Sequence, residues 1–179
     1  STSPLAKGKE NIEDTSKVIS RYCDLIAARV YEHSTLEKLV ANSSIPVINA
    51  LSNFSHPMQI IGDLATIKEK FGKLKNLNLA YFGDGNNNVT HSLLYACSKL
   101  GINITISCSR QLRPLNHVVK DAIRFSKKYN SKVLIENDPS RVKNQDIVYT
   151  DSWMSYHIKE SEKKKRVKLL RRYQVNKNI

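Results

Sequence analysis

The chain has 179 residues, 40% of them hydrophobic and 25% charged, with a formal net charge of +13. This composition suits one globular domain or parts of two and excludes an intrinsically disordered chain. No apolar run approaches the roughly 20 residues of a membrane helix, and no apolar signal region opens the chain, so the expectation is a cytoplasmic protein with no membrane partner.

Ser1 to Glu10, carrying Gly, Pro and Ser, reads as loop. Apolar Ile12, Val18, Ile19 and Tyr22 predict a helix over Asn11 to Cys23, with Asp14 and Thr15 as candidate caps. Asp24 to Val30 is an apolar run of strand length. Ser34 with Glu37 has capping-box spacing for a helix reaching about Ala41. Ile45 to Ala50 reads as a strand, with Pro46 at its start, where a missing N–H does least harm. Ile60, Ile61, Leu64 and Ile67 fall at helical spacing across Pro57 to Phe71, and Gly72 ends that helix.

A second series follows: strand Leu77 to Phe82, helix Val89 to Leu100 closed by Gly101, strand Ile102 to Ser107, helix His117 to Tyr129 and strand Lys132 to Ile135. A short helical turn at Pro139 to Lys143 and a strand at Asp146 to Thr150 complete it. Strands and helices in strict alternation imply parallel sheets with covering helices. The fold class is therefore α/β, with two Rossmann-like parallel-sheet units joined by a long helix, each short of strands to cover its flanks.

Cys23, Cys97 and Cys108 are widely spaced and lack CxxC pairing, which argues for inert buried thiols and against a metal site or disulfide scaffold. One dense basic run, Lys163 to Arg166, continues in Lys168, Arg171 and Arg172. Its expected role is a solvated helix face; the competing reading is a polyanion patch. No aromatic interrupts the run before Tyr173, so stacking on nucleic-acid bases is poorly supported.

In open α/β sheets ligands bind beyond the carboxyl ends of strands. The strand ending at Phe82 runs into Gly83-Asp84-Gly85-Asn86-Asn87-Asn88 and then a helix. Glycines permit a tight turn, and three amides offer donors and acceptors to a zwitterion; a plain polar turn is the alternative. Asp151 at the end of another strand can hold an ammonium group and Ser155 a further polar atom, or else Asp151 or Ser152 caps a helix. In the first series, His56 stands at a helix N-terminus, where the dipole favours neutral imidazole. Gln59 lies one turn on, and Arg29 brings a fixed charge near a strand end.

These residues carry a family resemblance. Glu13 to Tyr22 resembles the E-D-T-x-x-V-L-S-R-Y helix of the ornithine carbamoyltransferases, within the aspartate/ornithine carbamoyltransferase family. His56-Pro57-Met58-Gln59 matches its HPxQ motif, Gly83 to Asn88 its GDxxNN loop, Thr150 to Ser155 its TDxWxS motif and Tyr173 to Asn176 its YQVN stretch. The resemblance implies a carbamoyl-phosphate-binding part at residues 1–56, an interdomain helix at 57–72 and an ornithine-binding domain at 73–179. It implies that Arg29, His56 and Gln59 contact carbamoyl phosphate, with Arg29 and His56 catalytic at the carbonyl oxygen. Asn88, Asp151 and Ser155 would hold L-ornithine. It further implies a homotrimer without metal or organic cofactor, acting in arginine metabolism.

Departures accompany the match. The family's SxRT phosphate loop and its HCLP motif do not occur in this sequence, and no cysteine here stands in the HCLP place. Sheets short of strands favour a segment of a longer active enzyme over a short, inactive homologue. Tyr156-His157 replaces the usual Met-Gly, which leaves an altered amine substrate as an alternative. A basic nucleic-acid module is the remaining rival. It expects nucleic-acid binding that weakens steeply with salt and when Lys163, Lys164 and Lys165 are neutralised; a filter-binding titration at two salt concentrations, showing no such binding, removes it.

Overall fold

The computed structural model describes residues 10–154 and 158–177. The chain divides into two compact units between Met58 and Gln59. The first contains α1 (Ile12–Ile19), β1 (Ile26–Arg29), α2 (His33–Asn42) and β2 (Val47–Leu51). The strands pair in parallel from Ile26 opposite Val47, with a register shift between Ala28 and Arg29. Ile26 and Ala28 point inward onto Leu36 and Leu39 of α2, flanked by Ile12, Ile19 and Val47. Each leucine so buried contributes about 1.5–3 kcal/mol of transfer free energy. Ser16 is fully buried, and its hydroxyl donates to the Leu39 carbonyl at 2.8 Å, fixing α1 on α2.

Two expected caps are corrected. Helix α1 is capped by Asn11, whose side chain accepts from the Glu13 N–H. Asp14 and Thr15 lie inside it, and the Thr15 hydroxyl donates back to the Asn11 carbonyl at 2.8 Å. Helix α2 begins at His33, so Ser34 is already helical, and Glu32 at the cap position makes no side-chain capping bond. Its first N–H, from His33, is instead accepted by Asn53 Oδ1 at 3.1 Å. A neighbouring loop does the capping that local spacing had assigned to Ser34.

The second unit holds most of α3 (Pro57–Phe71), then β3 (Asn78–Gly83), α4 (Asn88–Leu100), β4 (Asn103–Cys108), α5 (Asn116–Tyr129), β5 (Val133–Glu136), β6 (Ile147–Thr150) and α6 (Lys163–Leu170). The expected turn after Pro139 is a single 3-10 turn, Pro139–Arg141. The strands form one sheet in the order β5-β4-β3-β6, all parallel. Strand β3 is paired on both sides and buried from Leu79 to Phe82, hence its continuous apolar run rather than an alternation. Leu93, Leu94 and Cys97 of α4 and Val118 and Ala122 of α5 are buried as these helices pack together. Both helices end on left-handed residues, Gly101 (φ 76°) and Asn130 (φ 55°). Elsewhere in the unit, Ala80, Phe82 and Tyr173 cluster, with the Tyr173 hydroxyl donating to the Asn137 carbonyl at 2.7 Å.

After β3 the chain steps outward through β4 and β5, then returns to the opposite side of β3 as β6. The step reverses between β3 and β6, so their carboxyl ends flank a topological switch point. No helix among the described residues is long and apolar enough to cross a membrane.

The cysteines divide. Cys97 and Cys108 are fully buried, and burial pushes both thiols up to about 12. Cys23 is exposed, contrary to the expectation of three buried thiols. A thiol held protonated reacts slowly with alkylators. Iodoacetamide at pH 8 is expected to label the native protein at Cys23 alone, with Cys97 and Cys108 reacting after denaturation; peptide mass mapping checks it.

Candidate active-site loops

In the first unit the relevant residues gather where the parallel strands end. Arg29 is the last residue of β1, exposed, at the point where the register shifts against Leu51. The loop after β2 folds around Ser52, which is fully buried. Its hydroxyl accepts from the Ser55 N–H at 3.2 Å and the Phe54 N–H at 3.3 Å, and lies 2.8 Å from His33 Nδ1. Asn49 of β2 donates to the Ser55 hydroxyl at 2.8 Å. This tight loop delivers half-buried His56 directly before Pro57, the first residue of α3. Pro57 suits that place because its missing N–H is one the helix would leave unpaired anyway.

In the second unit, Gln59 is exposed on the first turn of α3, and its Nε2 donates to Asp63 Oδ1 at 3.0 Å. A carboxylate only accepts, so the bond fixes which end of the amide faces Asp63 and leaves Gln59 Oε1 as the acceptor for a ligand.

The switch point carries the other motifs. Gly83 ends β3 at φ 139°, a conformation open to glycine. Gly85 is required for space: a Cβ there would lie 2.6 Å from the Leu112 carbonyl and 2.8 Å from Cys108 Sγ. Asn87 caps α4, its Oδ1 accepting from the Thr90 N–H at 2.8 Å. Its Nδ2 donates to the Tyr81 hydroxyl at 2.9 Å and the Asp84 carbonyl at 3.0 Å. Of three amides expected to face a ligand, Asn87 is therefore committed to the scaffold, while Asn86 is exposed and Asn88 opens α4 nearly buried.

Asp84 is buried beneath this loop. One carboxylate oxygen accepts from the Asn86 N–H at 2.9 Å, and the other pairs with the Arg166 guanidinium. Arg166 Nε donates to the Trp153 carbonyl at 3.0 Å. The expected solvated face holds for Lys163, Lys164, Lys165, Lys168, Arg171 and Arg172, which are exposed, and is corrected at Arg166, buried with Leu170 because the helix docks through them. A single guanidinium thus joins the loop after β3 to the segment after β6.

Asp151, half-buried, follows Thr150, whose hydroxyl donates to the Phe82 carbonyl at 2.9 Å. No helix starts at 151–154. Ser152 forms a local turn instead, accepting from the Met154 N–H at 3.2 Å. Beneath lie Tyr81 and Tyr149, with ring centroids 6.0 Å apart. Burial, then more weakly the Asp151 charge, raises the Tyr81 phenol; burial and then the hydrogen bond to Asp63 raise that of Tyr149. Ser155, Tyr156 and His157 lie outside the described residues.

The structure thus brings Asn88 and Asp151 to adjacent strand ends in one unit, and Arg29 and His56 to adjacent strand ends in the other. Concavities of about 350, 430 and 510 Å³ lie elsewhere, the first beside Leu36 and Val47, the second beside Val142 and Val148 and the third along α1. None of the three is lined by these residues. Among the described residues no group of three or more His, Cys, Asp or Glu is placed to hold a metal. Sequence reasoning missed Ser52, Asp63 and Tyr149, and although Asp84 and Arg166 stood in motifs it named, it missed their pairing. Only Asp63 had a local signal, standing four residues after Gln59 on one helix face.

A family described as "Aspartate/ornithine carbamoyltransferase, carbamoyl-P binding domain" matches residues 1–69, and one described as "Aspartate/ornithine carbamoyltransferase, Asp/Orn binding domain" matches residues 75–179. An ornithine carbamoyltransferase of Hyperthermus butylicus is 46% identical over 98% of this chain and 55% of its own length. A catabolic ornithine carbamoyltransferase of Bacillus cereus is 45% identical over 94% of this chain and 49% of its own. The solved ornithine carbamoyltransferase of Pyrococcus furiosus superposes with a TM-score of 0.89 at 42% identity, over 94% of this chain and 54% of that one. The chain spans about half the length of these relatives.

Removing one partner of a buried ion pair leaves an uncompensated charge, at about 3–5 kcal/mol. Arg166→Met is therefore expected to lower unfolding stability by about that much, and adding Asp84→Asn to restore part of it. Urea unfolding of the unsubstituted protein and the two variants measures both.

Proposed function

The chain belongs to the aspartate/ornithine carbamoyltransferase family, and on that premise we propose that the full-length protein transfers the carbamoyl group from carbamoyl phosphate to the δ-amine of L-ornithine, giving citrulline and phosphate. The observation that carries this reading is the placement of the GDGNNN and TDSW segments at the two strand ends flanking the switch point. Their amide and carboxylate suit an amino acid, whose α-amine needs an acceptor with negative charge and whose carboxylate needs donors.

In this reading the neutral δ-amine attacks the carbamoyl carbon, the carbonyl oxygen takes up negative charge, and the carbon–oxygen bond to phosphate breaks as the amine nitrogen loses a proton. Arg29 and His56 stabilise the oxyanion, Arg29 as a permanent cation and His56 as a donor before a helix whose dipole opposes its protonation. Gln59 accepts from the carbamoyl NH2 through Oε1. Asn88, Asp151 and Ser155 hold ornithine in this reading, with Asp151 at the α-amine. Orientation of two substrates supplies much of the remaining acceleration. Residues 1–56 are read as the end of the carbamoyl-phosphate domain, 57–72 as the interdomain helix and 73–179 as the ornithine domain. A cytoplasmic homotrimer acting in arginine metabolism completes the proposal.

The full-length protein is expected to form citrulline from the two substrates. Loss of one oxyanion donor typically costs about 10²–10³-fold in kcat, so Arg29→Ala and His56→Ala are each expected to fall by that order in a colorimetric citrulline assay. A folded full-length protein that makes no citrulline sinks the proposal.

A further inference from the structure

Asp63 lies on no ligand motif used above, yet both its oxygens are engaged. Oδ1 accepts from Gln59 Nε2 at 3.0 Å, and Oδ2 accepts from the Tyr149 hydroxyl at 2.5 Å. The second contact has the length of a charge-assisted O–H···O⁻ bond, the stronger class of hydrogen bond. It holds the carboxylate in one orientation, which in turn aims the other oxygen, Oδ1, at Gln59. Gln59 is exposed, with a long side chain that would otherwise sample several rotamers at an entropic cost on binding.

Tyr149 also reaches the other side of the proposed chemistry. It sits on β6 two residues before Asp151, and its ring lies beside Tyr81, whose hydroxyl accepts from Asn87, the residue before Asn88. A continuous set of contacts therefore runs from Gln59 through Asp63 and Tyr149 to both strands of the switch point. Any displacement of β6 at Asp151 would pass through the Tyr149 hydroxyl and Asp63 to the amide of Gln59.

We propose that Asp63 is a positioning residue that, with Tyr149, orients Gln59 and couples carbamoyl-phosphate binding to the strand bearing Asp151. The proposal rests on the reading of Gln59 and Asp151 given above. The rival is a purely structural tie between α3 and β6, which would move the melting temperature but no kinetic constant selectively.

The test uses the full-length protein and steady-state kinetics with both substrates, with thermal unfolding to verify folding. Variants are Gln59→Ala, Tyr149→Phe, the double variant, Asp63→Asn and Asp63→Glu. Tyr149→Phe is expected to raise KM for carbamoyl phosphate roughly three- to tenfold, in the range of coupled neighbours, although its strand carries no carbamoyl-binding residue. The double variant is expected to be no worse than Gln59→Ala, because the tyrosine acts through the glutamine. Asp63→Asn should resemble Gln59→Ala, and Asp63→Glu, which keeps two acceptor oxygens, should recover part of the loss. An unchanged KM in Tyr149→Phe, or losses that multiply in the double variant, overturns the coupling. An unchanged KM in Gln59→Ala instead overturns the assignment of Gln59. If Asp63→Asn fails to fold, Tyr149→Phe, which removes a single oxygen, still decides the matter.

Discussion

Asp84 and Arg166 are both nearly excluded from water, 82 residues apart in the chain, and the two loops at the switch point take their shape from that pair. Burying two charges is expensive, and their attraction offsets the cost only where the remaining polar atoms are satisfied as well. That condition is met: the second Asp84 oxygen accepts the Asn86 N–H, and Arg166 Nε donates to the Trp153 carbonyl. Such a pair adds little net stability relative to apolar residues of the same volume. What it adds is geometry, since neither loop can shift without uncovering a charge.

The rest of the switch point follows from the same demand for satisfied polar groups. Asn87 closes the end of α4 and at the same time holds the Asp84 carbonyl and the Tyr81 hydroxyl. Thr90 adds a second donor to that carbonyl at 3.0 Å. Asn87 and Thr90 are thus spent on the scaffold, and the neighbouring Asn88 is the first residue of α4. Glycine at position 85 is the steric counterpart, because any side chain would strike the backbone of Leu112. On the proposed reading of Asn88, rigid support beneath it lets binding energy orient a substrate instead of ordering the protein.

Features governed by local periodicity were legible in the sequence. The alternation of strands and helices, the parallel pairing and the carboxyl-end location of the motifs all follow from spacing within some 15 residues. What escaped depended on distant partners. The cap of α2 comes from Asn53, and no local pattern distinguishes it from Ser34. Arg166 sits in a run of lysines and differs from them only in having a buried carboxylate opposite, which three-dimensional packing alone reveals. Cys23 is exposed, and α1 stops at Ile19, four residues before the Cys23 end that the sequence suggested. Tyr149 read simply as a residue of the last strand, whereas its hydroxyl reaches back across 86 positions to Asp63.

Two carboxylates thus organise this region by opposite means. Asp84 is neutralised by a cation, while Asp63 receives hydrogen bonds from an amide and a phenol, neither of which carries charge. The phenol is held above its ordinary value, chiefly by burial. A raised phenol stays protonated throughout the neutral range and loses its donor only as pH climbs through that elevated value. The Tyr149 hydroxyl therefore keeps donating to Asp63 throughout the neutral range. Tyr81 is raised in the same direction, so the donor from Asn87 keeps a protonated partner over the same range. The scaffold phenols are thereby removed from the titration of the reaction. On the proposed chemistry, the neutral-range pH dependence is then left to groups that meet substrate.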